Sequence, residues 1–244
     1  MSRNTRTIPE ITRTNTDQNT SDSSWTFEAN DVLEVQFLDL RFETVQFAKI
    51  VIFINSLIPL SLLLWDLYFK KVGPNPLEFV TRTTGMLTLV FLLLTLSITP
   101  LRKIFGLNDL VKARRMIGLF AFFYGGLHLL TYVWFDQFFK LRSIVSDVAQ
   151  RRFILVGMTA FLLMVPLAIT STNKMVKRLG GKTWARLHRL VYVAAILGVL
   201  HFWMLVKSDV RLPLTFGFIL ALLLAHRLAV KYFPTQPHQT SNSL

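Results

Sequence analysis

The chain contains no cysteine. Disulfides, thiolate ligation of haem and iron–sulfur clusters are thereby excluded, so any redox metal has to be held by histidine or methionine. Charge is scarce and one-sided: 17% of the 244 residues are charged, with 27 Lys and Arg against 14 Asp and Glu. A net +13 can signal nucleic acid, but the basic residues fall in short clusters between apolar stretches, the pattern of loops facing anionic lipid. The sequence also shows no Gly-rich phosphate loop, no Walker motif and no internal repeat. The first 24 residues are polar and lack the apolar core of a secretory signal, which leaves insertion to the first membrane helix.

What is abundant is apolar side chain. Hydrophobic residues make up 52% of the sequence, 21 of them Phe, more than a soluble domain of this length can bury. Six stretches are long enough to cross a bilayer as helices: 47 to 69, 85 to 101, 116 to 135, 153 to 170, 188 to 206 and 212 to 230. The expected fold is therefore an all-α, six-helix transmembrane bundle over residues 47–231. It is preceded by a cytoplasmic extension at 1–46 and followed by a polar tail at 232–244. Residues 1 to about 24 carry too few apolar groups to offset the entropy of ordering them. Residues 25 to 46 include Trp25, Phe27, Leu33, Phe37 and Phe42 and suit an interfacial segment, although their spacing fits neither a clean helix nor a clean strand.

Basic residues in the loops set the expected orientation. The second loop carries Arg102, Lys103, Lys112, Arg114 and Arg115, and the fourth carries Lys174, Lys177, Arg178, Lys182, Arg186 and Arg189. These eleven outnumber the nine in the other three loops and place both termini in the cytoplasm.

An ionisable side chain in hydrocarbon costs a few kcal/mol on insertion scales, which makes each membrane histidine a functional candidate. Thirteen residues separate Arg115 from His128 and twelve separate Arg189 from His201. At 1.5 Å per residue both imidazoles lie about 18–20 Å above the cytoplasmic ends of their helices. Two neutral nitrogens at one level on different helices are what axial ligation of a haem requires. The plainer alternative is a pair of packed histidines bonded to backbone carbonyls or hydroxyls. Gly125 and Gly126, just before His128, suit the close approach of a macrocycle and suit ordinary helix packing equally well. His188 lies one long step lower on its helix, near the cytoplasmic boundary, where it is placed to ligate a second haem, with His226 as a possible mate; His238 belongs to the polar tail. The turn ITSTNKMVKRLGGKTWARLHRLVY crowds hydroxyls and cations together, a composition able to cradle a phosphate such as that of flavin mononucleotide.

The segments NPLEFVTRTTG at 75 to 85, LLLTLSITPLR at 92 to 102, ARRMIGLFAFFYGGLHLLTYVWFDQ at 113 to 137 and LAITSTNKMVKRLGGKTWARLHRLVYVAAILGVLHFWMLVKSD at 167 to 209 resemble the MsrQ (YedZ) family. That family is the haem-bearing membrane subunit of the periplasmic methionine sulfoxide reductase system, within the ferric-reductase-like transmembrane group. The resemblance covers roughly residues 48 to 230 and departs from the family in the first 45 or so residues and at His226, where an aliphatic residue is expected.

The resemblance implies a b-type haem on His128 and His201, with His188 as a further family histidine of possible ligand role, and bound FMN. Electrons would come from the quinone pool or a cytoplasmic flavin reductase and leave to the periplasmic molybdopterin reductase MsrP, across a bacterial inner membrane. The chain would be the redox subunit of an oxidoreductase complex, not its catalytic subunit. His188, Arg114, Arg115, Thr170, Ser171, Lys177 and Arg178 would mark the input side; Asn75, Glu78, Arg82 and Thr83 would lie on the outer face where the partner docks, or else form a turn capping the second helix. Two other classes compete: a small permease with a histidine proton relay, opposed by the lack of Asp or Glu deep in any helix, and a purely structural assembly subunit.

Overall fold

A computed structural model describes residues 23–106, 110–206 and 208–232, with side chains at 46–106, 113–206 and 208–232. The reading of residues 1–22 as unstructured, and that of His238 as solvated, lie outside the described residues. The chain divides into two compact units, Met1–Thr44 and Val45–Leu244. Helical backbone begins at Ser23 and continues as α1 to Tyr68, so the segment whose apolar spacing suggested neither helix nor strand is helical. No Gly or Pro interrupts the sequence from Ser23 until Pro59, and that continuity outweighs the irregular apolar pattern.

The second unit carries six helical spans long and apolar enough to cross a membrane: Gln46–Tyr68, Pro76–Phe105, Ala113–Asp136, Arg152–Ile169, Gly181–Leu205 and Arg211–Tyr232. With no strand among the described residues, the fold is an all-α, multi-pass membrane bundle. Large apolar side chains such as Phe47, Leu62, Leu162, Phe218 and Leu222 stay exposed, as a lipid-facing surface requires. Hydroxyls in the spans bond back to carbonyls of their own helices, among them Ser56 to Ile52, Thr95 to Phe91 and Thr159 to Leu155. Among the described residues no buried side-chain nitrogen or oxygen is left without a partner.

Three details change the expected boundaries. The second span, α2, runs from Pro76 to Phe105 and so begins well before residue 85. Its start is built by NPLE: the Asn75 side chain accepts a hydrogen bond from the Glu78 N–H, Pro76 occupies the first turn, and Glu78 faces the positive end of the helix. The third span comprises α3, Leu110–Thr131, and a π-helical turn at Tyr132–Asp136. Asp147 of the short helix α4, Leu141–Gln150, then gathers the Tyr132 hydroxyl at 2.8 Å, the Gln137 amide at 3.2 Å and the Arg151 guanidinium at 2.8 Å. After α5, Arg152–Ile169, two further short helices follow, α6 at Asn173–Leu179 and α7 at Gly181–Leu187. The fifth span is thus jointed, because a turn at His188 and Arg189 separates α7 from α8, Leu190–Leu205. The last helix is α9, Arg211–Tyr232.

Helix α2 packs chiefly on α3 and α5 on α8; the two pairs meet through α3 with α5 and α2 with α8, and α9 closes against α2 and α8. Leu92, Leu96, Ala121, Tyr124, Ala194 and Ala195 form the centre of the apolar core. Tyr124 is fully buried, stacks on Phe91 with ring centres 5.2 Å apart, and donates its hydroxyl to the Ser56 carbonyl of α1 at 2.7 Å. Pro59 lies in the next turn of α1, and the phenol bonds the helix at this proline-interrupted stretch. Replacing Tyr124 by Phe is expected to lower the unfolding free energy in detergent by about 1 kcal/mol, the usual worth of such a bond within a membrane. Tyr124→Ala should lower it by roughly 3–5 kcal/mol through the cavity it opens. A Phe variant as stable as the unmodified chain would remove the hydroxyl from the account of how α1 docks.

Candidate functional site

The imidazoles of His128 on α3 and His201 on α8 face each other with ring centres 6.1 Å apart and planes crossed at 77°. Residue counting placed them at one depth, and the bundle brings them together. His128 Nδ1 lies 2.9 Å from the carbonyl oxygen of Thr81 on α2, and His201 Nδ1 lies 2.7 Å from that of Phe153 on α5. A carbonyl can only accept, so Nδ1 is the protonated nitrogen in both rings and the Nε2 lone pair is left free. Among the described hydrogen bonds neither Nε2 has a partner, and neither is sealed by surrounding protein.

The backing of each ring is a glycine one turn after the acceptor carbonyl. A Cβ at Gly85 would stand 3.0 Å from His128 Nδ1 and Cε1, and one at Gly157 would stand 2.7 Å from His201 Nδ1 and 2.8 Å from Cε1. Only a residue without a side chain lets α2 and α5 approach so closely. Of the two glycines just before His128, Gly125 packs on Phe161 and Thr88 at 3.4 Å, whereas a Cβ at Gly126 would meet nothing within 4 Å.

Around His128 a further set of bonds closes. The Thr81 hydroxyl donates to Thr131 Oγ1 at 3.0 Å, Thr131 donates to the His128 carbonyl at 2.7 Å, and Thr84 lends a second, longer bond to the Thr81 carbonyl at 3.1 Å. Half of the NPLEFVTRTTG segment therefore serves the histidine. Its other half, with the Glu78–Arg82 ion pair at 3.4 Å, stands exposed at the helix end.

The two histidines repeat one device. Gly157 follows Gly85 by 72 positions, Phe153 follows Thr81 by 72, and His201 follows His128 by 73. The repeat absent from the sequence thus exists in the fold, as a two-helix unit formed once by α2 and α3 and again by α5 and α8. The glycines and their helix partners went unnoticed in the sequence because a backbone acceptor leaves no mark on residue identity. The equal spacing was the one available signal.

The ligand set fits a macrocycle better than a bare ion. Among the described residues no three His, Cys, Asp or Glu converge on a common point. Two imidazoles facing across one metal at about 2 Å each would have their centres roughly 6 Å apart, and haem supplies the remaining donors itself. The Nδ1–carbonyl bonds are also the usual second contact of a metal-bound histidine, orienting the ring and raising its basicity.

His188 belongs to a different cluster. Its Nε2 lies 3.1 Å from the Thr170 hydroxyl, and the Trp184 ring stacks on it at 3.9 Å while donating its own N–H to the Thr170 carbonyl at 2.9 Å. No described ring contact or hydrogen bond joins His188 to His226. Arg114 and Arg115 lie close enough for their charge to act at His188, and Arg115 is held by Asn173 at 2.6 Å. The protons of Thr170 and Ser171 are committed to the carbonyls of Pro166 and Leu167. Lys177 and Arg178 stand exposed on α6. Donors available to an anion at this end are therefore the cations, not the hydroxyls.

Comparison with known proteins points to one family. The family described as the ferric reductase like transmembrane component matches residues 82–199, a stretch that holds His128 and His188 and ends two residues short of His201. The protein-methionine-sulfoxide reductase heme-binding subunit MsrQ of Herminiimonas arsenicoxydans is 50% identical over 198 residues, covering 80% of this chain and 89% of its own. The subunit of the same name from Rhodospirillum rubrum is 51% identical over 180 residues, covering 74% of this chain and 86% of its own. That of Azospira oryzae is 46% identical over 196 residues, covering 80% and 84%.

Proposed function

The chain belongs to the MsrQ family of haem-binding subunits of protein-methionine-sulfoxide reductases, and from that membership we propose that it carries electrons across a bacterial inner membrane through a b-type haem held by His128 and His201. The observation behind this reading is the pair of crossed imidazoles with both Nδ1 protons bonded to neighbouring helices and both Nε2 atoms free. When bound, haem iron supplies a one-electron couple; the protein's part is orientation, insulation and the tuning of potential. Thr81 and Phe153 hold the ligand rings by their carbonyls.

Electrons enter, on this reading, at the end carrying Arg114, Arg115, Thr170, Ser171, Lys177, Arg178 and His188, from the quinone pool or a cytoplasmic flavin reductase. The cations there are matched to the phosphate of FMN. His188 is a candidate for a further ligand role at the same end. Electrons leave at the opposite face, where exposed Asn75, Glu78 and Arg82 with half-buried Thr83 offer a polar edge to the periplasmic molybdopterin reductase MsrP, which repairs oxidised methionines. Both termini then face the cytoplasm, as the basic loops indicate.

Absorption spectra of the purified chain test the haem assignment. A Soret band with sharp reduced α and β bands is expected, and His128→Ala and His201→Ala should each remove most of it while His226→Leu and His238→Ala leave it unchanged. Full haem content in either of the first two variants would overturn the pairing.

Direction is tested separately, by single cysteines at Asn75 and Lys182 in a chain that has none of its own. On intact spheroplasts a membrane-impermeant maleimide should label the first position and spare the second. The reverse pattern would place the haem nearer the cytoplasm and remove the physical reason for an extracytoplasmic acceptor.

A further inference from the structure

Among the described glycines, two press on histidine rings and the others do not. A Cβ at Gly126 or Gly181 would meet nothing within 4 Å, those at Gly118 and Gly217 would make ordinary contacts at 3.7 and 3.6 Å, and that at Gly198 would meet the flexible end of Leu89. At Gly85 and Gly157 the atoms met are the Nδ1–Cε1 edges of His128 and His201, at 3.0 Å and at 2.7–2.8 Å. The same edge of each ring is bonded to a carbonyl one helical turn earlier on the same neighbouring helix.

An imidazole has two torsions of its own. In each half-site a hydrogen bond restrains the ring at Nδ1, and backbone without a Cβ restrains it along the adjoining edge. The azimuth of each ring is thus set by α2 or α5, not by the helix that bears it. Because the two half-sites come from different helix pairs, the two rings are fixed independently and stand crossed at 77°.

We propose that Gly85 and Gly157 are positioning residues that, with the carbonyls of Thr81 and Phe153, fix the near-perpendicular crossing of the His128 and His201 imidazoles and through it would set the electronic state and potential of a haem held by them. This rests on the assignment of His128 and His201 as haem ligands. The physical link is orbital: crossed imidazole planes leave the two iron orbitals of π symmetry nearly equal in energy, whereas parallel planes split them. Axial-ligand orientation and hydrogen bonding are among the means by which a protein sets haem electronics.

Electron paramagnetic resonance of the oxidised full-length chain reads the crossing directly, and a redox titration reads its consequence. The unmodified chain should give a strongly anisotropic low-spin signal dominated by one large g value. Gly157→Ala, with the tightest contact, should lower that g value toward a three-line rhombic pattern and shift the midpoint potential. Gly85→Ala should do the same to a smaller extent, and Gly217→Ala on α9, where a Cβ makes only an ordinary contact, should change neither quantity.

A rhombic signal from the unmodified chain overturns the proposal. So does retention of its g value and potential by Gly157→Ala and Gly85→Ala at full haem occupancy, and so does an equal change in Gly217→Ala. Should Gly157→Ala accumulate without haem, Gly85→Ala decides alone, since His128 there has to yield by only a few tenths of an ångström. A chain that carries no haem at all removes the ligand assignment and this inference together, whereas haem that is lost in His128→Ala and His201→Ala yet unaltered in both glycine variants removes this inference only.

Discussion

An imidazole N–H placed in hydrocarbon has to find an acceptor, and in this bundle the acceptors are two backbone carbonyls on neighbouring helices. Much of the central architecture follows from that requirement. For Nδ1 to reach the Thr81 and Phe153 oxygens, α2 must lie against α3 and α5 against α8, closer than any side chain at residues 85 and 157 would permit. The bond then chooses the tautomer and leaves Nε2 directed elsewhere. Near His128 the Thr81 hydroxyl ties the same two helices together by donating to Thr131. Structural packing and cofactor ligation are here one arrangement: the bond that satisfies a buried donor also prepares the opposite nitrogen to bind a metal.

The level shared by His128 and His201 was legible in the sequence because helix rise is constant and the basic residues marking one end of each helix are conspicuous. Four of the six spans lie close to where the apolar runs put them. The second does not, since Arg82 and the threonines of VTRTTG hide a helix whose start is signalled by Asn75 and Pro76. The fifth begins before the apolar run at 188 to 206, because the basic turn ahead of it is itself helical as α6 and α7, which its cations and its Gly180–Gly181 pair conceal. Gly85 and Gly157 were visible as residues but not as partners of the histidines: glycines are common in membrane helices for several reasons, and Gly125 and Gly198 illustrate packing alone.

The two ends of the bundle are chemically unlike. At the His188 end an imidazole, an indole and a threonine hydroxyl are already mutually bonded beneath a group of arginines. Arg227 of α9 adds its guanidinium over the Tyr192 ring at 4.7 Å on the adjoining helix. At the other end Asp147 organises the π-helical turn and α4 through Tyr132, Gln137 and Arg151, with Trp134, Phe135, Phe138 and Phe139 exposed beside them. One end offers fixed positive charge, the other an aromatic rim, and the histidine pair lies between them in a core of apolar side chains.

Depth also has an electrical meaning. A site about 18–20 Å from the basic ends of its helices lies past the middle of a hydrocarbon layer roughly 30 Å thick. An electron arriving there from the basic end has crossed most of the insulating layer with no compensating charge beside it. A unit charge crossing the whole layer exchanges about 2.3 kcal/mol with each 100 mV of membrane potential, so the partial crossing exchanges roughly 1.5 kcal/mol, close to a tenfold change in equilibrium. In the proposed orientation the electron would move toward the positive side, and an energised membrane would draw electrons onto a haem held by the histidine pair. Occupancy of the carrier would then follow the energetic state of the cell as well as the supply of donor.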